Sequence, residues 1–260
     1  MKKYFVWGLL CCLAILPAGA SAKTEMTVLA AASLTDAMEE IIQAYEQENP
    51  DVDVIASYDA SGKLLTQMRQ GVRADLFFSA AQKQMDMAQE EGLLMEETRV
   101  NLLENKAVLI VPAGRKTPDS FENIAEAAVI AIGDPDAVPA GSYAKEIFES
   151  IGNWDALCAQ TGKLVLAGNV REVLTFVATG NADAGVVYAT DAKIEPDVEV
   201  ICSAPEGSCE PIIYPASVLR SAGDAAAAQD FLAYVAGETG MKAFEKYGFT
   251  ACAEEAQKTE

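Results

Sequence analysis

Two serines stand at points where the sequence pattern changes from strand to helix. Ser33 follows the apolar segment Val28–Ala31, and Ser61 follows the strand-like segment Val52–Ser57. An alanine precedes each serine, and such small side chains let a ligand approach the backbone. A helix begins there with unpaired N–H groups and a partial positive charge. This pattern favours hydrogen bonding to an anion, although the same residues could simply cap a helix.

Three further junctions share this design. Small residues around Ala140 open a helix in the segment "VPAGS", and a second helix begins at Val170 in "GNVRE". Tyr188 ends an apolar strand, where its phenol could donate a hydrogen bond to the same point. A capped helix start or a tyrosine at a strand end is ordinary by itself in an α/β protein. It is the number of such junctions that suggests a shared binding site.

Capping residues accompany two of these junctions. Asp36 follows Ser33 by three residues, and Glu172 follows Asn169 by three residues. Both pairs have the spacing of a capping box, in which the first side chain accepts a backbone hydrogen bond and the second returns one.

Catalytic alternatives are weak in this sequence. The chain contains no histidine, which removes the commonest general base and metal ligand. The segment "DASGKL" fails as a phosphate-binding P-loop, because Ser57 replaces the first glycine and Leu64 replaces the hydroxyl that binds Mg²⁺. An exported hydrolase or transferase would need a serine activated by Lys63, and the Ser61-x-Lys63 spacing is a poor copy of S-x-x-K. The prediction is therefore no enzyme, no catalytic residue and no free metal cation.

Strand and helix patterns alternate along the chain, which predicts mostly parallel sheets with helices on both faces. Ligands in such folds bind beyond the carboxyl ends of the strands. The predicted strands are Val28–Ala31, Val52–Ser57, Leu76–Ser79, Lys106–Val111, Val129–Ile132, Lys163–Leu166, Ala184–Tyr188, Val198–Cys202 and Ile212–Val218. The predicted helices are Leu34–Glu48, Lys63–Gln70, Gln82–Glu91, Ser142–Ser150, Val170–Thr179, Ala225–Val235 and Gly240–Lys246. If the chain forms two lobes, it would cross between them within Leu103–Val111 and Glu210–Val218.

The first 22 residues have the pattern of a secretory signal peptide. Two lysines precede an apolar run from Tyr4 to Leu16, and an A-x-A site ends at Ala22. We expect cleavage near Ala22. A retained membrane anchor is one alternative, and lipid attachment at Cys11 is another that the bulky Leu10 before it disfavours.

The acidic composition excludes some partners. The formal net charge is −20, and loss of the two N-terminal lysines would bring it to −22. Such a surface argues against binding to nucleic acid or to anionic membranes.

Four cysteines remain after the signal segment, and an even number in an exported protein suggests disulfides. Cys202 and Cys209 bracket the turn "SAPEGS", so we expect them to pair. Cys158 and Cys252 would then pair by elimination.

Several motifs together resemble the periplasmic molybdate-binding proteins of ABC-type importers. The resemblance runs from about Val28 to Thr250. The motifs are "AAASLTDAM", "FSAAQKQMD", "AIGDPDAVPAGSYAKE", "NVREVLTFVATGNADAGVVYATDA" and "FEKYGFT". The resemblance implies the two-lobed type II periplasmic binding-protein fold, with a mixed, mostly parallel sheet in each lobe. The expected divisions are residues 1–22 for the signal peptide, 23–104 with 214–260 for the first lobe, and 105–213 for the second.

The resemblance also implies a function and a set of ligand-binding residues. The protein would be a periplasmic monomer that carries molybdate or tungstate to a membrane permease and needs no cofactor. The oxyanion would be held by neutral donors alone, from Ser33, Ser61, Ala140, Val170 and Tyr188. Three features depart from the family pattern: Gly62-Lys63 after Ser61, Asn169 where aspartate is frequent, and the Cys202–Cys209 segment. The alternatives are another tetrahedral oxyanion such as sulfate, and a structural or adhesive secreted protein.

Overall fold

Two mixed β-sheets organise the computed structural model, which describes residues 23–252. The first sheet contains β1 (Thr24–Ala31), β2 (Val52–Asp59), β3 (Leu76–Phe78), β4 (Val100–Asn105), β10 (Ile212–Val218) and β11 (Thr250–Ala251), in the order β11-β4-β10-β3-β1-β2. The second contains β5 (Ala107–Pro112), β6 (Ile130–Gly133), β7 (Leu164–Ala167), β8 (Ala184–Tyr188) and β9 (Val198–Ser203), in the order β7-β6-β8-β5-β9. The chain passes from the first sheet to the second at Lys106 and returns between Ser203 and Ile212.

Nine α-helices flank the sheets in the described part of the chain. They are α1 (Thr35–Glu48), α2 (Ser61–Arg69), α3 (Gln82–Glu90), α4 (Pro139–Ser150), α5 (Trp154–Cys158), α6 (Val170–Ala178), α7 (Ala189–Lys193), α8 (Ala225–Ala236) and α9 (Glu238–Tyr247). Short 3₁₀ turns occupy Ala32–Leu34, Glu96–Thr98 and Ile124–Glu126. None of the helices described is long and apolar enough to cross a membrane.

Strand β1 ends in a continuous apolar run, Val28–Ala31, without the alternation of polar and apolar residues that a half-exposed strand would have. Val28 and Leu29 point to opposite faces of the first sheet, as successive strand residues must. Val28 packs in the main core with α1, whereas Leu29 packs in a second cluster with Leu64 of α2 and Met85 of α3. Helices cover both faces, so the strand is buried on both sides and carries a continuous apolar run.

The predicted fold class is confirmed, with one difference in strand pairing. The sheets were predicted to be mostly parallel, but they contain more antiparallel strand pairs than that prediction implies. The antiparallel pairs involve β4, β10 and β11 in the first sheet and β5 and β9 in the second. The parallel pairs are confined to β1 with β2 and β3, and β6 with β7 and β8. These parallel strands are the ones that end at the candidate site.

Helix boundaries differ from prediction at two important points. Helix α2 begins at Ser61 rather than at Lys63, and α4 begins at Pro139 rather than at Ser142. Proline suits the first position of a helix, where its missing N–H would have had no partner. Both shifts bring the predicted ligand-binding residues into the first turn of a helix. The short helices α5 and α7 were not predicted.

The structure contradicts the predicted disulfides. Cys158, Cys202 and Cys209 carry free thiols. The Cys202 thiol lies against the backbone of Phe121, whereas Cys209 lies near Glu146 of α4, so the two thiols face different elements. Cys158 is exposed on α5 beside the second sheet, while Cys252 is buried next to β11 of the first sheet. The predicted signal peptide lies outside the described residues.

Candidate functional site

All five predicted ligand-binding residues line one small cavity. Its wall consists of Ala31, Ala32, Ser33, Asp59, Ala60, Ser61, Ala80, Val138, Pro139, Ala140, Val170 and Tyr188. The first sheet contributes one side of the cavity through β1 and β2, and the second contributes the other through β6, β7 and β8.

Ser33 and Ser61 present hydroxyls whose oxygens already have protein partners. The Ser61 Oγ accepts a hydrogen bond from the backbone N–H of Ala80 at 2.9 Å. The Ser33 Oγ lies 2.9 Å from the hydroxyl of Tyr214. Both serines are buried. The sequence contains no signal that would have linked Ala80 or Tyr214 to these serines.

The Tyr188 hydroxyl is buried and makes no hydrogen bond of good geometry with any described residue. The Tyr188 ring packs edge-to-face on Tyr214, with the ring centroids 5.7 Å apart. Burial raises the pKa of Tyr188 well above its ordinary value, so the phenol stays protonated and can donate. A buried donor without an acceptor is costly in a folded protein and calls for an explanation.

Helices α4 and α6 direct their N-terminal turns at the cavity, where Ala140 and Val170 line the wall. The first N–H groups of a helix have no acceptor within the helix itself. Gly141 makes the approach of α4 possible, because a Cβ at this position would lie 2.1 Å from the carbonyl oxygen of Gly133 at the end of β6. Both helix starts therefore offer backbone donors and a partial positive charge.

Neither predicted capping box forms in full, although the Asn169 cap forms at α6 and Glu172 returns its hydrogen bond one residue before the N-cap. At α6, Asn169 accepts from the Glu172 N–H at 3.0 Å, and Glu172 accepts from the Gly168 N–H at 2.6 Å. Ser33 does not cap α1. Its hydroxyl points to Tyr214, and the Asp36 carboxylate pairs with Arg171 instead.

Charged side chains near the cavity are paired with one another. Asp59 accepts from the Ala60 N–H at 2.8 Å and lies 3.3 Å from the Lys63 Nζ. Lys63 is thus engaged by a carboxylate, and the Ser61 oxygen is engaged by Ala80, so the pair lacks the arrangement of a serine nucleophile with a lysine base. Beyond the cavity, the Arg171 Nε lies 2.7 Å from Asp191, a fully buried carboxylate.

The cavity therefore combines three hydroxyl groups with the N-termini of α2, α4 and α6. Its chemistry suits an anion that has many acceptor oxygens and no proton to donate. The residues that sequence reasoning missed are Tyr214, Asn105, Arg171 and Ala80. Tyr214, Arg171 and Ala80 each contact a serine that is distant in sequence, and Asn105 contacts Tyr214, so no local spacing in the sequence indicates these partners.

Two sheets of this topology with a donor-lined cavity between them suit a solute-binding protein. Residues 26–250 match the model of the family described as bacterial extracellular solute-binding protein, and the chain belongs to this family. Membership of this family makes it an exported solute-binding protein.

Individual relatives agree with this assignment. The chain is 40% identical to YvgL of Bacillus subtilis, named provisionally as an ABC transporter substrate-binding lipoprotein, over 88% of this chain and 87% of that protein. It is 36% identical to the molybdate-binding protein ModA of Escherichia coli, over 87% of this chain and 89% of ModA. The solved periplasmic molybdate-binding protein of Azotobacter vinelandii has the same fold, with a TM-score of 0.76 at 22% identity, over 86% and 98% of the two chains.

Proposed function

We propose that this protein binds molybdate in the cavity between its two sheets and delivers it to the permease of an ABC importer. Relatives that carry the name of molybdate-binding proteins span most of the chain. The proposed ligand-binding residues are Ser33, Ser61, Ala140, Val170 and Tyr188, which together line the cavity.

The observation that carries this proposal is the direction of the hydroxyl donors. The Ser61 oxygen accepts from Ala80, and the Tyr188 hydroxyl has no partner of good geometry in the described chain. Their hydrogens are therefore available to an occupant of the cavity. A tetrahedral dianion supplies acceptors in several directions and demands no acceptor in return.

The energetics of a neutral site are adequate for tight binding. Each hydrogen bond to a charged group contributes about 1.5–3 kcal/mol, and each helix N-terminus adds about 0.3–1 kcal/mol. The net charge of −20 is little obstacle, because exposed charges are screened over a Debye length of about 8 Å in physiological salt. Tungstate is nearly the same size as molybdate and should bind comparably, whereas the shorter bonds of sulfate would leave its hydrogen bonds long.

We further propose that the protein closes around the ligand as two lobes, residues 23–104 with 214–260 and residues 105–213. Contacts between the lobes support a closed form. The Gly62 N–H donates to the Ala137 carbonyl at 3.1 Å, and Arg171 reaches Asp36 at 2.7 Å. The ligand would shift an open–closed equilibrium, since it contacts both lobes only when they are closed.

In this proposal the mature protein is a periplasmic monomer released by cleavage near Ala22. The permease would recognise the closed form. A lipid-tethered mature form remains the alternative that chemical analysis of the exported protein would reveal.

Calorimetric titration of the mature protein with molybdate, tungstate, sulfate and phosphate tests the proposed function. We expect one-to-one binding of molybdate and tungstate, with sulfate and phosphate at least a hundredfold weaker. A preference for sulfate or phosphate would overturn the ligand assignment. If none of the four oxyanions gives a binding signal, the proposal that the protein carries an oxyanion is overturned.

A further inference from the structure

Two residues outside the cavity are linked by hydrogen bonds to the Ser33 hydroxyl. Tyr214 belongs to β10 and Asn105 ends β4, and neither lines the cavity. The Tyr214 hydroxyl lies 2.9 Å from the Ser33 Oγ, and the Asn105 side-chain amide lies 3.3 Å from the same Tyr214 hydroxyl. These contacts form a continuous chain from Asn105 through Tyr214 to Ser33.

The orientation of the Asn105 amide is fixed by its other partners. Its oxygen accepts from the backbone N–H of Lys106 at 2.8 Å, so the nitrogen must face the opposite side. That nitrogen donates one hydrogen to the Thr190 hydroxyl at 2.9 Å and the other to the oxygen of Tyr214. Both amide hydrogens are used, and a flipped amide would set its NH2 group against the Lys106 N–H, donor against donor.

This orientation determines the direction of the remaining hydrogens. Because the Tyr214 oxygen accepts from Asn105, its own hydrogen must find another acceptor. Among the described residues the Tyr188 hydroxyl is also near, but it makes no hydrogen bond of good geometry, whereas the Ser33 Oγ lies at 2.9 Å with good geometry. Tyr214 is fully buried, so it cannot turn its hydrogen to solvent. Ser33 therefore accepts from Tyr214 and keeps its hydrogen for the cavity.

We infer that Asn105 and Tyr214 are positioning residues that hold Ser33 as a hydrogen-bond donor and thereby select fully deprotonated oxyanions. The inference rests on the proposed function and deepens it. With Ala80 in the same role toward Ser61, both serines are held as donors. An anion that carries a proton, such as hydrogen phosphate, needs an acceptor in the site. A serine oxygen that already accepts one hydrogen bond keeps a single lone pair and turns its hydrogen to the cavity, so each serine is a poor acceptor for that proton. The Asp59 carboxylate on the cavity wall already accepts from the Ala60 N–H and lies 3.3 Å from the Lys63 Nζ.

A pair of double-mutant cycles tests the inference. Tyr214→Phe removes only the hydroxyl, after which Ser33 can rotate and accept. We expect molybdate binding about tenfold weaker than wild type, and a narrower ratio of molybdate to hydrogen phosphate affinity. In the Ser33→Ala background the same change should weaken binding less than twofold, whereas in the Ser61→Ala background it should retain the tenfold effect. Tyr45→Phe, which alters a buried tyrosine remote from the cavity, is the control and should leave affinity unchanged.

The outcomes separate this inference from the proposed function. An equal effect of Tyr214→Phe in the two serine backgrounds, or no effect in the wild type, would overturn the inference while molybdate binding stands. A wild-type protein that binds none of the oxyanions would overturn both. If thermal unfolding shows that Tyr214→Phe does not fold, the same cycles are run with Asn105→Ala. Additive effects in that series would also overturn the inference.

Discussion

The guanidinium of Arg171, on α6 beside the second sheet, lies 2.7 Å from the carboxylate of Asp36, on α1 beside the first sheet. The same guanidinium donates to the Ser33 carbonyl at 3.3 Å and pairs with the buried Asp191 at 2.7 Å. Arg171 thus links the backbone of Ser33, a proposed ligand-binding residue, to α7, the helix that follows Tyr188. The ion pair joins the two halves of the molecule at the cavity.

Breaking this ion pair should weaken molybdate binding by favouring the open form. Asp36→Asn is expected to raise the Kd about two- to fivefold, because a partly exposed ion pair contributes roughly 0.2–1 kcal/mol. Glu91→Gln is a matched control, since Glu91 pairs with Arg69 on the outer side of α2 and lies away from the cavity. Titration of both variants checks this, and an equal loss in the two would remove the special role of Asp36.

The serine hydroxyls should each contribute strongly to affinity. Ser33→Ala and Ser61→Ala are each expected to weaken molybdate binding by one to two powers of ten, which corresponds to about 1.5–3 kcal/mol per charged hydrogen bond. Ser142→Ala is the control, because Ser142 lies in the same helix as Ala140 but outside the cavity wall. Affinities that stay unchanged in both serine variants would exclude the two residues from the site.

Gly62→Ala should separate binding from folding. A Cβ at Gly62 would lie 2.4 Å from the carbonyl oxygen of Ala137, so the closed contact between α2 and the segment before α4 would be blocked. Alanine also favours a helix by about 1 kcal/mol over glycine, so the Tm of the ligand-free protein should not fall. We expect at least tenfold weaker binding by titration. Gly223→Ala, with 3.8 Å to its nearest neighbour, should leave affinity unchanged.

Should Gly62→Ala bind molybdate as tightly as the wild type, the close approach of the two halves would be unnecessary for binding. A lower Tm without ligand would instead mean that the contact contributes to folding itself.

Asp191 should make stability depend on pH in the acid range. Burial raises the pKa of Asp191 to about 6, an effect that Arg171 only partly opposes. An unfolded aspartate has a pKa near 4, so between about pH 4 and 6 the folded protein binds more protons and loses stability as pH rises. The Tm of the wild type relative to that of Asp191→Asn should fall as pH rises across this window and then level off. A difference that stays constant from pH 4 to 8 would contradict the raised pKa.

Local sequence patterns predicted the parts of the fold that depend on local chemistry. The strands Ala184–Tyr188 and Ile212–Val218 have the predicted bounds, because their apolar runs are clearly bounded. The start of α4 was predicted three residues late, because Pro139 and Ala140 carry no apolar periodicity. The short helices α5 and α7 contain too few residues to show a period of 3.6.

Residues of the cavity wall could be predicted from the sequence, whereas the residues that contact the two serines from behind the wall could not. Ser33, Ser61, Ala140, Val170 and Tyr188 follow strands that end on one edge, and the topology brings such ends together. The partners of the two serines could not be found this way. Tyr214 lies 181 residues from Ser33, and Arg171 lies 138 residues away. Only the folded arrangement of β10 and α6 shows that Tyr214 and Arg171 contact Ser33.

A crystal structure of the molybdate complex, with anomalous diffraction at the molybdenum edge, tests the central claim most directly. The account predicts one molybdenum peak in the cavity between the two sheets. The oxyanion oxygens should lie within hydrogen-bond distance of the hydroxyls of Ser33, Ser61 and Tyr188 and of the N–H groups of Ala140 and Val170. A peak elsewhere, or a molybdate held mainly by charged side chains such as Lys63, would contradict a site built from neutral donors.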